Sequence, residues 1–194
     1  MIKTIIFDNN GVLTSSESPD NSSRLLGVEK GAFSSIWVET ARPMDEGKIT
    51  TMEFYESLLS HFDIEKDLDE IRQTHLGGFL RREKVIRFAK GLKDNYELAL
   101  LTNFGDGFNE CNERWKMEEI FGDNLFVSCK MKMIKPNDDI YLKVLEDLDR
   151  KPDETIFIDD NQENVTAANK LGINAILFTS LEKLKKDLSK YITI

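Results

Sequence analysis

The stretch TIFIDDNQENVTAANKLGI, residues 155–173, places two acids between a strand pattern and a helix pattern. Thr155–Ile158 lacks polar and apolar alternation, which is typical of a strand covered on both faces. Asp159 and Asp160 follow directly. The apolar residues beyond them recur at helical spacing: Val165, Ala168 and Leu171. The stretch therefore predicts a strand–helix unit with two carboxylates at the carboxyl end of the strand.

Four further runs of the same character predict four more buried strands. They are Thr4–Phe7, Tyr96–Leu101, Leu125–Ser128 and Asn174–Phe178. Helical patterns separate them, and the clearest is one apolar stripe: Ile140, Tyr141, Val144, Leu145 and Leu148. Because strands and helices alternate, we predict an α/β fold with a doubly wound, parallel, five-stranded sheet covered by helices on both faces.

A long helical insertion interrupts this alternation. No convincing strand is visible from about residue 20 to residue 90, whereas Thr50 and Glu53 fit a capping box ahead of a helical apolar pattern. We predict that residues 1–14 and 86–194 form the α/β core. Residues 15–85 would then form an all-helical unit inserted after the first strand.

Composition limits the classes of function. The net charge of −9 argues against nucleic acid as a partner. No apolar run approaches the roughly 18 residues of a membrane span, so we expect no membrane partner. The two cysteines, Cys111 and Cys129, form no metal-like pair and indicate reduced thiols in a cytoplasmic protein. We expect a monomer or a homodimer.

Reactive side chains follow the predicted strands. Ligands of doubly wound sheets bind beyond the carboxyl ends of the strands. The residues that follow three of the strands, with a lysine that precedes a helix, are Asp8, Thr102, Asn103, Lys135, Asp159 and Asp160. Taken singly, each has a plain structural explanation, as a turn residue, a strand-end hydroxyl, a surface charge or a helix cap. Asp8 and Asp159, however, end buried runs, where a charge is costly unless it is paired or metal-bound.

This combination suits one kind of chemistry. Three carboxylates around one point suit Mg²⁺, a hard ion with oxygen ligands that often bridges protein and phosphate. A carboxylate can attack phosphorus and form an aspartyl-phosphate. A lysine and a hydroxyl can stabilise the oxygens of the transferring phosphoryl group.

Four pieces of the chain resemble the haloacid dehalogenase superfamily of hydrolases, in its phosphatase branch. In the family's order they are IIFDNNGVLT (5–14), LALLTN (98–103), MIKPNDDIY (133–141) and the opening stretch (155–173). The insertion resembles the cap that many members carry between their first and second motifs. MDEGKITTMEFYESL (44–58) and the third piece are most similar to sugar-phosphate phosphatases and the phosphatase domain of soluble epoxide hydrolase.

The resemblance implies Mg²⁺-dependent hydrolysis of a small phosphorylated metabolite, with Asp8 as nucleophile. The implied catalytic residues are Asp8, Asn10, Thr102 and Lys135. The implied phosphate-binding residues are Asp8, Thr102, Asn103 and Lys135. The implied metal ligands are Asp8, Asn10 through its backbone carbonyl, Asp159 and Asp160. The Asn10-Gly11 pair is also a strong hairpin signal, and a turn with a hairpin flap follows the first strand in this family.

Asn10 departs from the family pattern, because an Asp usually stands there, protonates the leaving group and later activates water. An amide cannot exchange a proton in this way, so we expect weakened acid–base catalysis. Three explanations remain open: a natural phosphatase that works without this acid, an engineered Asp-to-Asn change, or a catalytically impaired phosphate-binding protein. A dehalogenase is a further alternative, against which the adjacent acids argue, and an interaction module is another.

The sequence leaves the substrate open. Arg42, Glu46 and Lys48 lie in a polar stretch between predicted cap helices. They either face the site or form a solvated loop. His61 and His75 are isolated and indicate helix residues rather than metal ligands.

Overall fold

The computed structural model describes residues 1–193, apart from the side chains of Ser16 and Ser18. Within that range the strands are β1 (Thr4–Phe7), β2 (Thr14–Ser16), β3 (Phe79–Arg81), β4 (Glu97–Thr102), β5 (Leu125–Val127), β6 (Thr155–Asp159) and β7 (Asn174–Leu177). The helices are α1 (Ser18–Leu26), α2 (Lys30–Asp45), α3 (Thr51–Phe62), α4 (Leu68–Gly77), α5 (Glu83–Leu92), α6 (Phe108–Trp115), α7 (Glu118–Phe121), α8 (Ser128–Met131), α9 (Asp138–Asp147), α10 (Gln162–Lys170) and α11 (Leu181–Leu188).

Five strands form the predicted parallel sheet, in the order β5-β4-β1-β6-β7. Side chains of β1 alternate between two apolar clusters, since Ile5 and Phe7 belong to one and Ile6 to the other. Helices therefore cover both faces of the sheet, which confirms the doubly wound α/β prediction. Each predicted strand agrees with the observed one to within one residue at each end.

The connection between β1 and the insertion differs from the prediction. The turn at Asn10-Gly11 is present, with Gly11 at φ 85°, but β1 and β2 form no hairpin because both edges of β1 are occupied by β4 and β6. Instead β2 pairs antiparallel with β3 from the far end of the insertion. The prediction of no strand between residues 20 and 90 is therefore wrong at β3.

The inserted helices α1–α4 have an apolar cluster of their own, separate from the two clusters on the sheet. Its fully buried members include Phe33, Phe54 and Tyr55. The predicted capping box starts α3: the Thr50 side chain accepts from the Glu53 N–H, and the Glu53 carboxylate accepts from the Thr50 N–H. Within residues 1–193 no helix combines the length and apolar character needed to cross a bilayer.

Candidate active site

The sheet brings the ends of β1, β4 and β6 to one level. Phe7 is in register with Leu100 on one side and with Ile158 on the other. The Asp8 N–H continues the pattern by donating to the Ile158 carbonyl at 2.8 Å. Asp8 and Asp159 therefore emerge side by side at the carboxyl edge of the sheet, as the sequence predicts.

Lys135 is buried between these two acids. Its ammonium lies 2.8 Å from Asp8 Oδ1 and 2.7 Å from Asp159 Oδ2, and it donates to the Leu101 carbonyl at 3.1 Å. Burial alone would lower the pKa of Lys135, but the Asp8 and Asp159 carboxylates outweigh it and raise that pKa. Lys135 is therefore a fixed positive charge whose three protons have partners.

Asp159 is fully buried and uses both carboxylate oxygens. Oδ1 accepts from the Asn161 N–H at 2.8 Å and from Asn164 Nδ2 at 3.1 Å. Oδ2 accepts from Asn164 Nδ2 at 3.0 Å and from Lys135. These contacts hold the carboxylate in place, occupy both of its oxygens and anchor the Lys135 ammonium.

Asp160 is exposed at the mouth of the same cleft. One oxygen from each of Asp8, Asp159 and Asp160 lies within 4.8 Å of the others. Although the residue as a whole is exposed, partial desolvation of its carboxyl within the cleft and the adjacent Asp159 carboxylate raise the pKa of Asp160. A Cβ at Gly11 would overlap the Asp160 carboxylate, so only glycine lets the β1 turn approach so closely. Three carboxylates face one ammonium, and this oxygen-rich excess of negative charge fits a divalent cation such as Mg²⁺.

Burial raises the pKa of the Asp8 carboxyl to about 8, against the opposing effect of Lys135. The Asp159 carboxylate adds to the rise. Burying several like charges around one lysine is unfavourable unless a further cation is bound. The surplus of negative charge and the oxygen ligands of the cleft therefore both favour a bound divalent cation.

Asn103 ties the loop after β4 to Lys135 by two hydrogen bonds. Its Nδ2 donates to the Lys135 carbonyl, and its Oδ1 accepts from the Lys135 N–H, both at 3.0 Å. Of the predicted residues, Asp8, Asn10, Asn103, Lys135, Asp159 and Asp160 line the cleft, with Gly11, Asn161 and Asn164. We call this group the carboxylate cleft. Thr102 is fully buried at the end of β4 and does not line it.

The Asn10 side chain is engaged within the turn. Its Oδ1 accepts from Thr14 Oγ1 at 3.1 Å and from Asn9 Nδ2 at 3.3 Å. Both partners donate, so they would suit a carboxylate oxygen equally well. The Asn10 amide is therefore placed as a carboxylate would be, but it cannot transfer a proton.

Arg42, Glu46 and Lys48 do not line the cleft. Arg42 Nε lies 3.0 Å from Glu46, and Lys48 Nζ lies 2.5 Å from the same carboxylate. The Arg42 and Lys48 side chains are largely exposed, which favours the solvated alternative, although Arg42 lies within helix α2 and not in a loop. Their neighbour Asp45 instead turns inward, and burial raises the pKa of its carboxyl to about 7.

A second cavity of about 180 Å³ adjoins the carboxylate cleft, with Asn10 and Asn103 common to both. We call it the apolar cavity. Its lining residues are Asn10, Pro19, Trp37, Ala41, Met44, Asp45, Thr51, His75, Leu76, Phe79, Asn103, Phe104 and Gly105. It lies between the inserted helices and the sheet, and no sequence pattern indicates it because its walls come from distant segments.

His75 is the buried histidine of the apolar cavity. It is 2% exposed, and burial lowers its pKa to about 3, so the ring is neutral. Nδ1 is hydrogen-bonded to the Tyr55 hydroxyl, whereas Nε2 has no hydrogen-bond partner among residues 1–193. Its position on helix α4 is as predicted, but its place in a cavity was not.

Replacing Lys135 by Met is expected to lower the free energy of unfolding by about 3–5 kcal/mol, because it leaves the buried Asp8 and Asp159 carboxylates without their cation. Urea titration without divalent ions measures the loss. Lys143→Met is the matched control, since Lys143 also pairs with two carboxylates but on the surface, where a loss below about 1 kcal/mol is expected. Equal losses in the two variants would contradict the assignment.

Comparison with known proteins identifies the family of the chain. Residues 2–172 match the sequence model of a hydrolase family, the haloacid dehalogenase-like hydrolases. A sesquiterpene phosphatase from Aspergillus oryzae is 31% identical over 182 residues, which cover 91% of this chain and 90% of the relative. A D-ribitol-5-phosphate phosphatase from Bacteroides thetaiotaomicron is 26% identical over 191 residues, with 89% of each chain covered.

Other comparisons bear on length and fold. Two further relatives are longer, and the chain spans 61% of the length of one and 36% of the other. A solved structure of a family enzyme from Bacteroides thetaiotaomicron, in complex with magnesium and inorganic phosphate, superposes with a TM-score of 0.79. It is 22% identical and the match covers 95% of this chain and 99% of that one, so it supports the fold. Because the family model matches residues 2–172, which is most of the chain, this chain belongs to the haloacid dehalogenase-like hydrolases.

Proposed function

We propose that the protein is a Mg²⁺-dependent phosphatase of a small phosphorylated metabolite, with Asp8 as its nucleophile. The observation that carries the proposal is the buried Lys135 ammonium between Asp8 and Asp159, with Asp160 beside them at the edge of the sheet. The two relatives reported above are both phosphatases by name.

The reaction has two steps at Asp8. In the first, a carboxylate oxygen of Asp8 attacks phosphorus, the aspartyl–phosphate bond forms, and the bond from phosphorus to the alcohol oxygen breaks. The departing oxygen takes a proton or leaves as an anion. In the second step water attacks the same phosphorus, its proton is lost to solvent, and Asp8 is restored as inorganic phosphate leaves.

Lys135 and Asn103 position the phosphoryl group. The Lys135 ammonium neutralises charge that develops on the phosphoryl oxygens and keeps Asp8 oriented. Asn103 fixes the Lys135 backbone and lines the cleft, where its amide can donate to a phosphate oxygen. Thr102 remains a predicted phosphate ligand, although its side chain is fully buried and does not line the cleft.

The predicted metal ligands are Asp8, Asp160 and the backbone carbonyl of Asn10, with Asp159 in support. Asp160 is the better direct ligand of the two adjacent acids, because the oxygens of Asp159 already accept four hydrogen bonds. Bound Mg²⁺ would screen the charge between the phosphate and the carboxylates. This cluster of acids does not support the dehalogenase alternative.

Residues 15–85 are proposed to act as a cap over the cleft. Helix α2 contacts the core through the Ser128 hydroxyl, which donates to the Asp45 carbonyl at 2.6 Å. The end of α4 is held by Arg114, which donates to the Leu76 carbonyl at 2.7 Å. These contacts hold the inserted helices against the core beside the cleft, where they would help to exclude water from the bound substrate.

We further propose a cytoplasmic enzyme, because the two cysteines are free thiols buried within the fold. Its turnover would depend on the leaving group, since Asn10 cannot protonate an alkoxide. A phosphate-binding protein with little turnover is the second candidate, and the same Asn10 is the observation that favours it.

Magnesium binding is the direct test. Mg²⁺ at one hundred times its dissociation constant is expected to stabilise the protein by about 2.7 kcal/mol, measured as a rise in melting temperature. Asp160→Ala should lose most of this rise because too few oxygens remain for the ion. Glu163→Ala, which removes an exposed acid outside the cleft, should keep it. An equal rise in all three proteins would overturn the metal site.

A further inference from the structure

The apolar cavity continues directly from the place where phosphate would bind. Asn10 and Asn103 line both it and the carboxylate cleft. A phosphate held at Asp8 would therefore direct the alcohol portion of its ester into this cavity. Its volume of about 180 Å³ is close to the roughly 150 Å³ of an apolar cavity that binds benzene. It fits one ring or one prenyl unit.

The walls of the cavity favour an apolar occupant. Seven of its thirteen lining residues are apolar: Pro19, Trp37, Ala41, Met44, Leu76, Phe79 and Phe104. The Thr51 hydroxyl is already engaged by the Asp106 carboxylate. Few polar groups are therefore left for a ligand: the Asn10 amide at the edge shared with the cleft, the Asp45 carboxyl and His75 Nε2. A polyol would leave most of its hydroxyls without partners, which is costly against apolar walls.

His75 offers one hydrogen bond of defined direction. If the Tyr55 hydroxyl donates to Nδ1, both groups are satisfied and the neutral ring carries its proton on Nε2. The opposite tautomer would leave the Tyr55 hydroxyl proton without a partner among the described residues. Trp37 and Phe79 pack against the ring, with centroids at 4.5 and 5.2 Å, and keep it in place. Nε2 is thus a fixed, buried donor on a residue that lines the cavity.

We propose that the apolar cavity binds the alcohol portion of the substrate, and that this alcohol is an arylmethyl- or prenyl-sized apolar group with one hydrogen-bond acceptor for His75. The inference rests on the proposed function, because the carboxylate cleft must first place the phosphate. The two relatives are named for two kinds of ester, a terpene phosphate and a polyol phosphate. Of these two, the proposal favours the apolar kind.

Phosphonates test binding without turnover. With Mg²⁺ present, calorimetry would compare methylphosphonate, benzylphosphonate and a dihydroxybutylphosphonate. Benzylphosphonate is expected to bind about 10- to 100-fold more tightly than methylphosphonate, the gain typical of burying a ring. The dihydroxybutyl compound should gain nothing. Equal affinity of the benzyl and methyl compounds would overturn the cavity assignment alone. Failure of all three to bind would overturn the proposed function and this inference with it.

A pair of variants locates the gain in the cavity. Ala41→Phe fills the cavity and should reduce benzylphosphonate to the affinity of methylphosphonate, while methylphosphonate itself is unchanged. Val38→Phe adds the same ring on the same helix at a site that is 75% exposed, and should change neither. A benzyl gain that survives Ala41→Phe would contradict the assignment. Should that variant not fold, the comparison of ligands with the unaltered protein still decides.

The His75 contact has its own measurement. Among the three pyridylmethylphosphonates, the isomer whose nitrogen reaches Nε2 should bind about 2- to 10-fold more tightly than benzylphosphonate. The double variant His75→Phe, Tyr55→Phe removes the donor without stranding the tyrosine hydroxyl, and should abolish this gain while keeping the benzyl gain. No gain with any isomer would overturn the role of His75.

Discussion

Asp8→Asn is expected to lower kcat by about 10⁴- to 10⁶-fold for every phosphate monoester, the range found when one member of a catalytic triad is removed. The amide keeps the shape of the side chain and an oxygen facing Lys135, but it cannot attack phosphorus. Pre-steady-state assays with p-nitrophenyl phosphate and Mg²⁺ measure the loss. Acid quench and intact mass should show a phosphoryl adduct in the unaltered protein and none in the variant.

Asp159→Asn is the matched control for this change. It neutralises the other carboxylate that holds Lys135 at 2.7 Å, yet leaves the nucleophile in place. We expect slower turnover but a phosphoryl adduct that still forms. Activity that survives Asp8→Asn would make Asp8 only the residue before a turn, and would remove the basis of the proposed function.

The sheet and the cleft could be predicted because their information is local. Asp8, Asp159 and Asp160 directly follow buried strand patterns, and parallel strands deliver the residues after them to one edge. Lys135 is different: it follows no strand, the family resemblance implied only that it binds phosphate beside the nucleophile, and its place between Asp8 and Asp159 is visible only in the structure. Asp159 is saturated with hydrogen bonds, whereas Asp160 is exposed. This difference arises from tertiary contacts, so the sequence of two adjacent aspartates does not reveal it.

The structure of the insertion was less predictable than the sheet, because it too depends on tertiary contacts. Strands β2 and β3 have three residues each and are joined only through the long segment between them. Short strands of this kind have no periodicity to recognise. Helix α2 contains Pro43, a residue that ordinarily argues against a helix interior. The helix directs Ala41, Met44 and Asp45 inward. The sequence pattern had instead pointed to the charged residues beside them.

Asn10→Asp is expected to raise the turnover of alkyl phosphates by about 10²- to 10⁴-fold, the usual contribution of general acid–base catalysis. The new carboxyl would protonate the departing alkoxide and then accept a proton from the attacking water. Its position is prepared, because Thr14 Oγ1 and Asn9 Nδ2, which now donate to the Asn10 amide oxygen, can donate to a carboxylate oxygen as well. The fold should therefore accept the change without rearrangement.

Comparing leaving groups makes this prediction specific. In the unaltered protein, p-nitrophenyl phosphate should turn over far faster than a sugar phosphate, because p-nitrophenolate leaves without a proton. Phosphoenzyme should accumulate with this substrate, since no base at position 10 activates water for the second step. In Asn10→Asp the two substrates should become more alike and the phosphoenzyme should decay faster. An unchanged alkyl-phosphate rate would mean that another group already transfers the proton. Asp45, whose buried carboxyl lines the adjoining cavity with a pKa near 7, would be that group, and Asp45→Asn would then abolish alkyl-phosphate turnover while sparing p-nitrophenyl phosphate.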